Sequence, residues 1–163
     1  MLSIAAGIAV LAVPLLPSLF FTQVFDRQEA RIEEQAHAAL IADVERHRQR
    51  FSDAVADNDA LGLQASALKS FGPSIFESPS GSGQYAIVVD GEVLTVDVFT
   101  TAVGAGNPTF SNAMRLYACV RISGSMGADP AVQGVQCPQE VLEKIELTQW
   151  YDPAIYDEIR ANH

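Results

Sequence analysis

The first ionisable side chains in this 163-residue chain are Asp26 and Arg27, so residues 1–25 form one uncharged, largely apolar stretch. A helix needs roughly 20 apolar residues to cross a hydrocarbon core, and this stretch exceeds that. It predicts a transmembrane anchor over residues 1–25, in contact with membrane lipid. A secretory signal peptide fits less well. It would carry basic residues ahead of an apolar run of roughly 7–15 residues, and this run is longer and has no basic lead, although Val10-Leu11-Ala12 offers a small-residue cleavage pattern. A buried core helix fits less well again, because no polar stripe interrupts the run.

Pro14 and Pro17 each remove an amide donor and crowd the preceding turn, so a uniform helix through residues 9–21 is not expected. In lipid, freed carbonyls need neighbouring protein, water or local readjustment. Ala5, Gly7 and Ala9 are small enough to let another helix approach closely. Ala5, Gly7, Pro14 and Pro17 are therefore the expected assembly residues. Their partners would be other protein subunits, in a homo-oligomer or a larger complex.

Every acidic side chain lies beyond Phe25, and the chain's formal net charge is −10. An acidic body repels phosphate backbones and anionic headgroups, which argues against nucleic-acid binding and against adsorption to a lipid surface. Topology pulls two ways. Arg27 and Arg31 follow the apolar stretch and nothing basic precedes it, which alone would place the body in the cytosol. Asp26, Glu29, Glu33 and Glu34 dilute that flank, and the cysteine pair discussed below favours an oxidising compartment. The expectation is a single-pass protein of the cell membrane with its C-terminal domain outside the cytosol, or a subunit of a cell-surface filament.

Residues 26–57 lack Gly and Pro and are rich in Ala, Glu, Gln and Arg, which predicts a long helix continuing from the anchor. Leu40, Val44, His47, Phe51 and Val55 recur at helical steps and form its core face. Glu34, Asp43, Glu45, Arg46 and Arg50 are assigned to solvent. A second helix is expected over 60–70, then a flexible connection through Gly72-Pro73 and residues 78–83. Asp90-Gly91 suits a type I′ hairpin turn that sets Val89 opposite Glu92, Ile87 opposite Leu94 and Tyr85 opposite Val96. The core face of that hairpin would be Tyr85, Ile87, Val89, Leu94, Val96 and Val98, leaving Gln84, Thr95 and Asp97 on a wetter face. Residues 102–112 read as a loop and 113–123 as a third strand, with Met114, Leu116, Ala118, Val120 and Ile122 inward. A short strand over 131–136 follows, then a helix opened by Pro138 to about Gln149, a turn at 150–153 and a last helical piece over 154–160. The fold class is α+β, with a single N-terminal transmembrane helix continuing into a long amphipathic helix, a small antiparallel sheet of about four strands and C-terminal helices. The expected division is an anchor (1–25), a helical stalk (26–71) and an extracytoplasmic α+β domain (72–163).

Cys119 and Cys137 are the only cysteines. Pairing across the second hairpin would put both on the outer face, where a disulfide is geometrically easy. Two reduced thiols are the alternative. Two thiolates with no histidine nearby cannot complete a tetrahedral metal shell. Glu33 with His37 and Asp43 with His47 stand one helical turn apart, a spacing that arises freely in a charged helix, and His47 reads as a satisfied core histidine. Residues 123–127 (Ser-Gly-Ser-Met-Gly) misplace the glycines for a nucleophile elbow and read as a hairpin loop. Gly104-Ala105-Gly106-Asn107-Pro108 lacks the strand–helix setting of a phosphate loop. Asp57-Asn58-Asp59 begins like a calcium loop without the closing glutamate and reads as a helix end. No catalytic residue, metal ligand or cofactor is expected, and the chain is read as non-enzymatic.

In layout the chain resembles the type IV pilin-like proteins. The correspondence runs over the apolar helix at 1–25, its amphipathic continuation at 26–57, the linker at 72–83, the strands within 84–136 and the loop bounded by Cys119 and Cys137. Ala5 stands where that family usually has a glutamate. The resemblance implies a filament subunit that assembles through its N-terminal helix, with Pro14 and Pro17 in a locally unwound stretch. Two other readings stay open: an accessory subunit of a larger membrane complex, and a sensory or ligand-binding ectodomain on a helical stalk.

Overall fold

The computed structural model describes residues 15–57, 62–77, 81–105, 113–144 and 151–163, with side chains from residue 26 onward. One helix dominates them. Helix α1 runs Leu15–Ala56, 42 residues, about 63 Å at 1.5 Å per residue. It crosses Asp26 without a break, as its Ala, Glu and Gln content favours. Pro17, expected in a locally unwound stretch, lies within this helix. Ala5, Gly7 and Pro14 lie outside the described residues, as does most of the expected membrane span. Among the described residues no helix is long and apolar enough to cross a membrane.

Ile32, Ala36, Leu40, Val44, His47, Phe51, Ala54 and Val55 are buried along one face of α1. That includes the whole predicted stripe. The face packs on an antiparallel sheet in the order β1 (Gly83–Asp90), β2 (Val93–Ala105), β3 (Ala113–Ser125), β4 (Ala131–Val135). Helix α2 (Leu63–Phe71) lies beside α1 and starts three residues later than predicted, at a glycine with φ 77°. Leu63, Ala67 and Phe71 of α2 join Val44, Phe51 and Val55 of α1 and Leu94, Val96, Val98, Val120 and Ile122 of the sheet in one core. Burial of these side chains is the main source of stability.

The first hairpin differs from its prediction. Asp90 pairs with Val93, Val89 with Leu94 and Ile87 with Val96, so the loop is Gly91-Glu92 rather than Asp90-Gly91. A type I′ turn at Asp90-Gly91 would need positive φ at both positions. Among the described residues only glycines have positive φ, and here that residue is Gly91, at 59°. Glycine in the first central place fits a II′ turn. The shift moves each partner by two, so Ile87, Val89, Leu94 and Val96 keep their face, but Val89, expected in the core, is exposed near the hairpin tip.

A bulge between Gln84 and Ala86 then reverses two further assignments. Gln84 turns inward and is buried, its Nε2 donating to the Gly72 carbonyl at 3.3 Å. Tyr85 moves to the opposite face. That face is not simply wet. Ile75, Phe99, Cys119 and Val141 form a second small core there, flanked by Phe76, Tyr85, Tyr117, Val135, Cys137 and Leu142.

Strand β2 continues through Ala105 where a loop was expected from 102, and all thirteen of its residues pair with β3. Its glycine is the reason. A Cβ at Gly104 would lie 2.0 Å from the Ile32 carbonyl oxygen, so only glycine admits the helix backbone there. Of the expected inward set on β3, Leu116, Ala118, Val120 and Ile122 are buried and Met114 is only half-buried. Helix α3 (Gln139–Lys144) follows β4. The predicted turn at 150–153 contains a short strand, β5 (Asp152–Pro153), parallel to β3 at Leu116 and Tyr117. The amide of Ala154 donates to the Tyr117 carbonyl at 2.8 Å, and helix α4 (Tyr156–Ala161) closes the chain against α1 and β4.

Candidate functional site

Two places concentrate chemistry. The first is a buried polar cluster where α1, α2 and β2 meet. Asp43 was assigned to solvent, yet it is 8% exposed, because its position on α1 borders the core stripe between Leu40 and His47. Thr100 Oγ1 of β2 donates to its Oδ2 at 2.5 Å, and Arg46 donates to its Oδ1 at 2.5 Å. Burial pushes the Asp43 carboxyl up, but the bond from Thr100, the nearby His47, and bonds from Ser82 and Arg46 outweigh it, and the net direction is down. Asp43 is held as a carboxylate.

His47 is buried as predicted, but it is not satisfied. Among the described residues its Nδ1 has no hydrogen-bond partner, and Nε2 stands 3.7 Å from Asp43 Oδ2, beyond hydrogen-bonding reach. The ring stacks on Phe71 of α2, centroids 6.0 Å apart and planes 5° from parallel. Burial pushes its pKa down, Asp43 opposes that, and Arg50 and Arg46 add to it, leaving the value below the ordinary one. The grouping contains a hydroxyl, an imidazole and a carboxylate, but the carboxylate holds the hydroxyl directly. In a nucleophile–base–orienter relay the imidazole would stand between them.

The second place is a cleft of about 450 Å³ beside the cysteines. Cys119 and Cys137 sit at disulfide distance with Cα atoms 5.2 Å apart. Cys119 pairs with Val135 in the ladder, so Cys137 reaches it from two residues beyond the end of β4. The bridge ties that end to β3. Strands β4 and β5 share one edge of β3, and the cleft opens where they part, between Val135 and Pro153. Tyr117, Leu142, Ile155 and Tyr156 line it, with no charged side chain among its described lining residues. Such a volume and an apolar lining are typical of small-ligand sites.

The other sequence candidates are not brought together. His37 meets His163 edge-on at 5.9 Å, and no group of three metal-ligating side chains occurs among the described residues. Residues 123–125 end β3, and Met126-Gly127 turn the chain toward β4, with Gly127 at φ 79°. The Asp43–Thr100 contact was not found from sequence, since it joins positions 57 residues apart. The described residues define an α+β protein in which a long helix lies across a four-stranded meander. Among known protein families, curated proteins and solved structures, the chain has no match.

Proposed function

We propose that this chain is a non-enzymatic subunit anchored in the cell membrane by residues 1–25, with its α+β domain outside the cytosol. It assembles with other subunits through its N-terminal helix, as a pilin-like filament protein does. One observation carries the reading. From Asp26 onward the first buried residue of α1 is Ile32, residues 26–31 are exposed or half-exposed, and the same helix extends back to Leu15. About 9 Å of helix, residues 26–31, therefore projects past the buried face that includes Ile32. It leads directly into the uncharged stretch of the sequence, whose burial in lipid or between subunits is strongly favoured. The disulfide supports placement in an oxidising compartment.

A second reading, a ligand-binding ectodomain, is favoured by the uncharged cleft beside Cys119 and Cys137. Native purification from membranes followed by electron microscopy and mass spectrometry separates the readings. Filaments are the expected result. A fixed set of co-purifying membrane proteins would select an accessory subunit instead, and a retained small molecule would select the ectodomain.

A further inference from the structure

We propose that His47 and Phe71 form an acid-released latch that holds helix α2 against α1. Three features of the fold carry this. The His47 ring is buried at the junction of the two helices, stacked on the last residue of α2. Its Nδ1 is buried with no partner among the described residues, so a proton taken up there becomes an N–H with no acceptor among them. Helix α2 itself hangs between two left-handed glycine joints, Gly62 at φ 77° and Gly72 at φ 73°, and a Cβ at either would meet nothing within 4 Å. These two glycines around nine residues allow α2 to pivot once the bond from Gln84 to the Gly72 carbonyl is released, with the strand pairing of the sheet left in place.

The groups around the ring set the direction. From α1, Asp43 attracts an imidazolium, but its oxygens are occupied by Thr100 and Arg46 and it stands too far for a direct bond. Arg46 and Arg50, on the same helix, repel one. From α2 the ring meets Phe71, and β2 contributes only the uncharged Thr100, through Asp43. Lys69 of α2 is paired with Asp57, 3.6 Å away. The docked state thus disfavours the charged ring. A released α2 exposes the ring to water, where it takes a proton at its ordinary value. As pH falls below about 6.5, release gains up to roughly tenfold per pH unit until the docked value is passed, then levels off. Release would uncover part of the apolar core that Leu63, Ala67 and Phe71 share with α1 and the sheet.

The test is hydrogen–deuterium exchange on the full chain in detergent between pH 7.5 and 5.0, corrected for intrinsic exchange, together with the His47 imidazole titration by NMR. The latch predicts that protection over residues 63–71 falls by up to about tenfold per pH unit below about 6.5. Protection in β2 and β3 should hold, and His47 should titrate below its ordinary value. H47F should remove the pH dependence, and H47Q serves where H47F does not fold. Protection of α2 that ignores pH, an equal loss across β2 and β3, an unchanged slope in either variant, or a His47 titration at or above 6.5 would each overturn the proposal. The wild-type data decide it even if neither variant folds.

Discussion

Gly104 of β2 lies directly against the main chain of Ile32 in α1: a Cβ built on the glycine would sit 2.0 Å from the Ile32 carbonyl oxygen and 3.0 Å from the Ala36 nitrogen. Helix and strand therefore meet backbone to backbone, and Ile32 is the first buried residue of α1 from Asp26 onward. The contact fixes how closely α1 lies on this end of β2. G104A should push α1 away from β2 and destabilise the domain by about 3 kcal/mol, since the obstacle is main chain and cannot rotate aside. Urea unfolding measures this, and an unchanged midpoint would count against the close approach.

The bridge between Cys119 and Cys137 closes a separation of 18 residues. Loop-closure entropy values such a link at about 3 kcal/mol. The double variant C119A/C137A should lose about that much in denaturant unfolding, and dithiothreitol should weaken the wild type similarly while leaving the variant unchanged. A wild type indifferent to reductant would show that the link contributes nothing.

Asp43 gives the domain an acid limb. Its folded-state pKa is depressed, so its stabilising contribution is complete above the ordinary value of 3.8 and is lost as pH falls through the lower folded value. D43N removes that limb. It also weakens the charge-assisted bonds from Thr100 and Arg46, with an expected cost of about 1–3 kcal/mol at pH 7. T100V should cost less alone and couple to D43N in a double-mutant cycle. Stability profiles from pH 2 to 7 for the three variants report both effects.

Tyr85, carried to the outer face by the bulge, has its phenol pushed up to about 12, first by burial and then by the nearby Asp97 carboxylate, with Arg121 opposing. Absorbance titration of the tyrosines should show one ionising near that value. In Y85F that late step should vanish. A late step retained in Y85F would assign it to another tyrosine.

The long helix and its buried stripe were legible because helical periodicity is a local property: Leu40, Val44, His47, Phe51 and Val55 each sit within a turn of the next. The third strand was legible for the same reason, through alternation from Leu116 to Ile122. What failed depended on partners distant in sequence. Gly104 read as a loop residue because its need for glycine comes from Ile32 on another element. Asp43 read as solvated because Thr100, which holds it inside, lies 57 positions away. The bulge at Tyr85 escaped detection because unbroken alternation is the simplest pairing, and one extra residue changes the facing of everything before it. Around the candidate site, the cysteine pair was anticipated from the hairpin, whereas the cleft depends on β5, whose two residues, Asp152 and Pro153, carry no strand signal of their own.

Detergent dependence tests the central claim most directly: sedimentation of the full chain, and of the chain lacking residues 1–25, in buffer without detergent. A membrane anchor that also assembles predicts that the full chain aggregates or pellets with lipid, while the shortened chain sediments as a soluble monomer. A full chain that sediments as a monodisperse monomer without detergent would contradict it.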